Sequence, residues 1–412
     1  MRLFFSVLVA LSLLSLPARA QSVRVVDVAG GPGTEFTSLD AAVQGSASGD
    51  VLLVRSGDYD IGTAIGTSLV LQADEGATVR VSPGLTVRGL PAGESVVVRG
   101  LSLGGVMSLA FPGSAIAVFN CQGSVWFEDC TIPGTGSLAS SSGGASVLDS
   151  ASVVFNRCAF GPAFDHLIAF QNFVTVNLRR TTAHLFDCTV VGANGLRNCD
   201  PSTEGKPAIL AEGGELWITG SVITGGQGAN GDASLCHEGG SGASGLVLTG
   251  AGPHVFLTDS RITSGTGGAG FGGAPDGPTP APIRASPAQV TRFPGAERRL
   301  SVSSPLRDDR GTVLGLHGVP GDQVWLVASP RPGPRILLPF LNRPLLLAAP
   351  YVLLPLGTLD ASGTLGLVLG PRDLGSGIQT ASFSLQALFW NTTLHERAWS
   401  APSHLLVVDA AF

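Results

Sequence analysis

The segment Val125-Trp126-Phe127-Glu128-Asp129-Cys130-Thr131-Ile132 carries the pattern from which the architecture follows. It contains an apolar strand, a bend residue and a second apolar strand, and six segments of the chain repeat this order. The bends follow one another at intervals of 28 to 39 residues, which is typical of a solenoid. The aligned bend residues are Gly100, Asp129, Arg157, Asp187, Gly220 and Asp259.

Alternate positions in each repeat are apolar, which indicates strands with one buried face. Gly and Asp tolerate a left-handed bend, whereas Arg157 departs from that pattern. Because one repeat cannot bury its apolar face alone, the sequence predicts parallel stacking, about 4.8 Å apart, into an all-β right-handed parallel β-helix. The predicted inward rows are Phe127, Phe155, Leu185, Ile218 and Leu257, and, after the bend, Cys130, Cys158 and Cys188. An antiparallel sandwich is the alternative, and turn signals about every 8–12 residues would mark it.

The N-terminal residues Met1–Ala20 have the features of a secretory signal. Arg2 gives the positive start, Leu3 to Leu16 the apolar run, and Ala18-Arg19-Ala20 the cleavage site. The run is too short to span a bilayer, so the mature chain is expected to be secreted or at the cell surface. Further on, Thr37 is predicted to be the N-cap of a short helix that covers the open end of the first repeat.

Three pieces near this helix carry a resemblance: Phe36 to Val43, Gly49 to Val54, and Gly57-Asp58-Tyr59. With the repeats, they make about residues 24–275 resemble the pectate-lyase-like β-helix superfamily. The resemblance implies the β-helix fold. It leaves the function open, because the superfamily includes lyases, hydrolases, epimerases and adhesins.

The composition changes after the repeats. The predicted domains are a β-helix over 21–272, a Pro- and Gly-rich linker over 273–290 and an antiparallel β-sandwich over 291–412. The last part resembles a C-terminal module of exported planctomycete proteins, through Gly321 to Val324, Leu356 to Gly363 and Leu385 to Trp390. That resemblance implies attachment or sorting at the cell surface.

Charge restricts the partners. The net charge is −6 and Lys206 is the only lysine, which argues against nucleic acid or an anionic membrane surface. Extracellular polysaccharide or a cell-surface component remains as the expected partner, and the oligomeric state is left open. No phosphate-binding or zinc-type motif is present, so no cofactor is predicted.

The six cysteines fall into different settings. Cys199 and Cys236 stand in corresponding Gly- and Asn-rich segments of adjacent repeats, and export predicts a disulfide between them. Cys130, Cys158 and Cys188 are expected inside and unpaired, and Cys121 is left unassigned. Candidate Ca²⁺ ligands accompany the predicted disulfide, although their spacing matches no calcium loop: Asp200, Glu204, Asp232 and Glu238.

The densest ionisable patch offers the candidate catalytic residues Asp165, His166, Arg180 and His184, and a solvated outer face is the alternative explanation. Two hypotheses of function follow: a non-catalytic exported scaffold that is structural, adhesive or glycan-contacting, and a polysaccharide lyase or hydrolase. A groove lined by carboxylates and arginines of adjacent repeats would favour the enzyme. Smooth faces of Ser, Thr and Gly would favour the scaffold, for which the sequence predicts no cleavage of acidic polysaccharides.

Overall fold

The computed structural model describes residues 21–104, 114–133, 143–162, 174–195, 204–233, 237–250, 252–286, 289–337, 341, 343–370, 373–375 and 377–412. The predicted signal sequence Met1–Ala20 lies outside these residues. The described chain is all-β, with long parallel sheets followed by antiparallel sheets, and this arrangement is compatible with a parallel β-helix.

Parallel strands stack in three rows. The first row is β1 (Val23–Val26), β2 (Val51–Val54), β4 (Leu69–Ala73), β7 (Ser95–Arg99), β10 (Ser124–Glu128), β13 (Ser152–Asn156), the second halves of β15 (Val176–Phe186) and β17 (Ile209–Thr219), β20 (His254–Thr258) and β23 (Val290–Phe293). The second row is β3 (Gly57–Asp60), β5 (Val79–Ser82), β8 (Leu101–Leu103), β11 (Thr131–Ile132), β14 (Ala159–Phe160), β16 (Thr189–Val191), β18 (Val222–Thr224) and β21 (Arg261–Thr263). The third row is β6 (Leu85–Arg88), β9 (Ser114–Phe119), β12 (Gly143–Leu148), the first halves of β15 and β17, β19 (Leu246–Thr249) and β22 (Ile283–Arg284).

The register confirms the predicted inward row. Phe127 pairs with Phe155, Phe155 with Leu185, Leu185 with Ile218, and Ile218 with Leu257. All five side chains are buried in one hydrophobic core that runs along the parallel sheets. This core also contains Cys121, Cys130, Cys158 and Cys188, all four as free thiols, and burial raises the pKa of Cys130 and Cys158. Cys199 and Cys236 lie outside the described residues, so their disulfide stays a prediction.

Left-handed bends occur at two corners of each repeat. All six predicted bend residues have positive φ, and Arg157, the apparent exception, has φ 52°. A second set joins the third row to the first and was not predicted: Gly89, Asn120, Asp149, Arg180, Gly213 and Gly250. Asp, Asn and Gly are the residues that most readily adopt this conformation, so the arginines at these corners are the unusual members.

Glycine spacing explains how the segments between β16 and β22 pack against one another. Every third residue is glycine in 225–231 and in 239–245, and this period is that of a polyproline II helix. Hydrogen bonds between adjacent segments follow the same period: Gly225 N–H to Thr263 O, Gly228 N–H to Thr266 O, and Gly231 N–H to Ala269 O. A Cβ atom at Gly226, Gly228 or Gly268 would overlap the backbone of the next segment. These glycines therefore allow extended segments to pack side by side.

Residues near the start of the predicted linker also pack against these segments. Gly239 donates its N–H to Pro275 O at 3.1 Å and Gly242 donates to Pro278 O at 3.0 Å. β22 and β23 then pair with β19 and β20, so parallel pairing continues to Phe293, past the predicted boundary at residue 272. The Pro- and Gly-rich stretch therefore takes part in backbone hydrogen bonding at Pro275 and Pro278.

The short helix α1 (Leu39–Gly45) is confirmed, but Thr37 is not its N-cap. Ser38 is the capping residue, and its Oγ accepts a hydrogen bond from Ala41 N–H at 3.3 Å. Leu39 and Ala42 bury the inner face of the helix in the core at the open end of the first row. The helix therefore covers that end, as predicted.

The antiparallel part follows β23 and has a core of its own. Its strands are β24 (Arg299–Val302), β25 (Leu306–Arg307), β26 (Thr312–His317), β27 (Gln323–Ser329), β28 (Pro332–Ile336), β29 (Leu345–Leu347), β30 (Val352–Thr358), β31 (Thr364–Leu369), β32 (Thr380–Asn391), β33 (Glu396–Trp399) and β34 (Ser403–Val408). One sheet has the order β24-β26-β31, and a larger one has β25-β34-β32-β27-β30. Leucines of both sheets, such as Leu314 and Leu326, share one hydrophobic core.

The antiparallel part covers the outer face of the first row. Val97, Trp126 and Val154 point outward from adjacent strands and are buried. They belong to one hydrophobic cluster with Leu346 and Leu406 of the antiparallel part. The outer face of the first row is therefore an interface between the two parts of the chain.

Candidate functional site

Of the predicted catalytic residues, the structure describes Arg180 and His184. Asp165 and His166 lie outside the described residues. Arg180 occupies a corner with φ 48°, and its guanidinium binds Asp149 through Nε–Oδ1 at 2.6 Å and Nη2–Oδ2 at 2.8 Å. The Arg180 guanidinium lowers the pKa of Asp149 by hydrogen bonding and charge. This exposed pair joins equivalent corners of two successive repeats, which is a structural role.

His184 is buried on the outer side of the first row. Its ring stacks near Phe186 at 6.1 Å and Trp217 at 6.2 Å between centroids. Neither ring nitrogen has a hydrogen-bond partner among the described residues. Burial, with the nearby charge of Arg335, lowers the pKa of His184 to about 3. The imidazole is therefore neutral at physiological pH and packs as an aromatic side chain.

The candidate Ca²⁺ ligands do not make a recognisable site in the described residues. Asp200 lies outside them, while Glu204, Asp232 and Glu238 lie within them. Across the described ranges, no group of three or more His, Cys, Asp or Glu side chains is arranged to hold a metal ion.

A charged ladder runs along the corner between the first and second rows. The Asp129 carboxylate accepts a hydrogen bond from Arg99 Nε of one neighbouring repeat at 2.9 Å. It accepts another from Arg157 Nε of the other neighbouring repeat at 2.7 Å. Glu128, only 1% exposed, also pairs with both guanidinium groups. The planar guanidinium group of arginine can donate two hydrogen bonds to a carboxylate. The carboxylates of Glu128 and Asp129 and the guanidinium groups of Arg99 and Arg157 therefore pair across three repeats.

This ladder also binds the antiparallel part. Glu128 Oε2 accepts a hydrogen bond from His404 N–H at 2.8 Å, and Oε1 accepts one from Ser403 Oγ. Arg99 donates through Nη2 to Val302 O at 2.7 Å and through Nη1 to His404 O. The ionic ladder therefore adds buried polar contacts to the apolar cluster that joins the two parts of the chain.

An open cleft of about 640 Å³ lies beside the ladder, where the two parts of the chain meet. One wall holds residues 72–77 and the corner residues Asp129 and Arg157; the other holds 301–307 and 310–313. Each carboxylate that lines the cleft is paired with an arginine. Arg307 Nη2 lies 2.7 Å from Asp74 Oδ1, and Arg310 Nη1 lies 3.1 Å from Glu75 Oε2.

The cleft presents charged groups of both signs. Burial opposes ionisation of Asp129, but the hydrogen bond from Arg157 and the charges of Arg99 and Arg157 outweigh it and lower the pKa of Asp129. Asp129 and Arg157 keep 34% and 25% of their side chains exposed, so both can contact a ligand. Paired guanidinium and carboxylate groups offer donors and acceptors side by side, which suits a neutral polyhydroxyl ligand better than an ion.

The sequence carries a signal for this site beyond those that gave the predicted catalytic residues. Arg99, Glu128 and Asn156 occupy the same position, directly before the bend, in three consecutive repeats. Opposite charges at one position of stacked strands become neighbours about 4.8 Å apart and pair. The apolar residues on both faces of these strands were a second signal, because strands buried on both faces read as continuous hydrophobic runs.

A second charged contact lies further along the corner between the first and second rows, where Glu297 meets it. The Glu297 carboxylate occupies the space above Gly220, where any side chain would overlap it. Arg299 Nη2 lies 2.6 Å from Glu297 Oε2, and Arg299 Nε lies 2.8 Å from Asp187 Oδ1. Burial and then the neighbouring Asp187 raise the pKa of Glu297 to about 8, although Arg299 opposes them.

This raised pKa predicts alkaline weakening of the fold. The ordinary pKa of a glutamate is 4.5, so the folded chain holds the Glu297 proton more tightly than the unfolded chain. The stabilising contribution is complete below pH 4.5 and is lost as pH rises toward 8, with a slope of at most about 1.4 kcal/mol per pH unit. The Glu297→Gln variant should therefore unfold at a higher temperature than the wild type at about pH 8.5. This difference in unfolding temperature should disappear by about pH 5.

Thermal unfolding between pH 5 and 9 measures this difference. Glu75→Gln is the matched control, because Glu75 is exposed and should leave the pH profile unchanged. Parallel profiles for the Glu297→Gln variant and the wild type would contradict the prediction.

No known protein family matches the chain, and no curated protein matches it either. Among the described helices there is none with the length and apolar character needed to cross a membrane.

Proposed function

We propose that this chain is an exported right-handed parallel β-helix of the pectate-lyase-like superfamily with a C-terminal β-sandwich. It acts outside the cell or at its surface as a non-catalytic scaffold, and the cleft at Asp129 and Arg157 binds a neutral glycan. The observation that carries the proposal is the pairing of every carboxylate that lines the cleft with an arginine.

Paired carboxylates support binding over catalysis. A general acid for glycoside cleavage needs a raised pKa, whereas the pKa of Asp129 is lowered. Glu297, whose pKa is raised, does not line the cleft. The antiparallel part also covers the outer face of the first row, so a long groove cannot lie on that face.

A polysaccharide lyase or hydrolase is the second candidate, and one observation favours it. Asp129 and Arg157 come from adjacent repeats and line a shared cleft, which is the arrangement that the enzyme hypothesis requires. A lyase base is often an arginine and a hydrolase needs carboxylates, so these two residues are the ones to test.

A panel of neutral and acidic polysaccharides, scored for both binding and product release, separates the two candidates. We expect binding of a neutral glycan without unsaturated or reducing-end products. Arg310→Ala should weaken binding about tenfold, while Arg80→Ala, an exposed arginine paired with Asp58 outside the cleft lining, should not. Product release that Asp129→Asn abolishes with the fold intact would establish the enzyme instead. Absence of binding to every glycan, or equal loss in both arginine variants, would overturn the assigned site.

A further inference from the structure

Strand β31 is an edge strand, and Asp360 binds the backbone N–H and C=O of its first residue, Thr364. It is the last strand of the sheet β24-β26-β31 and pairs only with β26 among the described strands. Residues Thr364–Leu369 include no charged residue and no proline. Edge strands normally carry such residues, because unpaired backbone groups otherwise recruit another strand.

The other end strands of the two larger antiparallel sheets are protected. β24 begins with the charged Arg299, β25 ends with the charged Arg307, and β30 contains Pro355 and faces a bulge between Val324 and Trp325. A proline removes a donor and a bulge twists the strand, so either feature discourages pairing. β31 is the one strand of these four that lacks both a charge and a proline.

The side chains of β31 are incompletely covered. Leu365, Leu367 and Leu369 point toward the core of the antiparallel part but are only half-buried. On the opposite face Val368 is 78% exposed, directly beside Val313, which is 58% exposed. An added strand would cover both the leucine row and this valine pair.

We propose that β31 pairs with β31 of a second copy of this chain, antiparallel about a two-fold axis at Leu367. This register sets Leu365 opposite the partner's Leu369, and Leu367 opposite the partner's Leu367, so the half-buried leucines meet one another. Gly366 then faces the partner's Val368, which leaves room for the larger side chain. In a two-fold interface, residues near the axis lie close to the same residues of the partner. A charged residue there would meet a like charge, and β31 has no charged residue, so this repulsion is absent.

Sedimentation of the full mature chain between about 1 and 100 μM tests the dimer. We expect concentration-dependent dimerisation together with slower amide exchange in 364–369 at the higher concentration. Val368→Lys, at a largely exposed position, should raise the dimer dissociation constant at least tenfold and leave thermal unfolding of the monomer intact. Leu353→Lys, at an exposed position on β30, is the matched control and should leave dimerisation unchanged. A monomer throughout this range, or a dimer that Val368→Lys does not weaken, would overturn the proposal.

Discussion

Replacing Phe155 with alanine is expected to reduce the free energy of unfolding by about 3–5 kcal/mol. Phe155 has no exposed surface and stacks on Phe127 at 5.4 Å, while Phe160 meets it edge-on at 5.3 Å. Parallel pairing with β10 on one side and β15 on the other fixes the flanking backbone. The walls of the resulting cavity therefore have little freedom to collapse.

Chemical denaturation measures this change. Val222→Ala is a suitable control, because Val222 lies on a strand of the second row and is 44% exposed. This substitution should reduce the free energy of unfolding by less than about 1 kcal/mol. If Phe155→Ala costs no more than Val222→Ala, Phe155 does not lie in a rigid inward stack.

Glu128→Ala should have a comparable effect, about 3–5 kcal/mol, by a different mechanism. The substitution leaves Arg99, which is 4% exposed, without one of its two carboxylates and removes the acceptors of Ser403 Oγ and His404 N–H. Donors that lose a buried acceptor are costly, and the buried Arg99 keeps only Asp129 as a charged partner.

The loss should concentrate at the junction between the two parts of the chain. Limited proteolysis between β23 and β24 should accelerate in Glu128→Ala, whereas Glu75→Ala, which removes an exposed ion pair, should change neither proteolysis nor stability by much. Destabilisation without faster cleavage at the junction would show that Glu128 does not hold the two parts together.

Short-range periodicity made the parallel stacking predictable. The alternation around Phe127 and Phe155 fixed which side chains point inward, since a shift by one residue would expose the whole row. Arg157 was the least expected bend residue, yet it adopts φ 52° because its side chain binds Asp129 and Glu128 of the preceding repeat. Neighbouring repeats stabilise a conformation that the residue itself disfavours.

The site and its cover depend on contacts between distant parts of the sequence. Arg99 meets Val302 and His404, which lie more than two hundred residues away along the chain. No local pattern indicates which surface the antiparallel part will cover. The prediction of one buried face did not use Val97 and Trp126, whose apolar side chains on the other face in adjacent repeats are a signal for such a cover.

The glycine-spaced segments limit how this chain can change length. A polyproline II helix turns about 120° per residue, so deleting one residue within 225–231 would rotate the following side chains toward the neighbouring backbone. A deletion of three residues returns each glycine to its contact. Natural variants of this region should therefore gain or lose residues in multiples of three, a rule that can be checked by counting letters in related sequences.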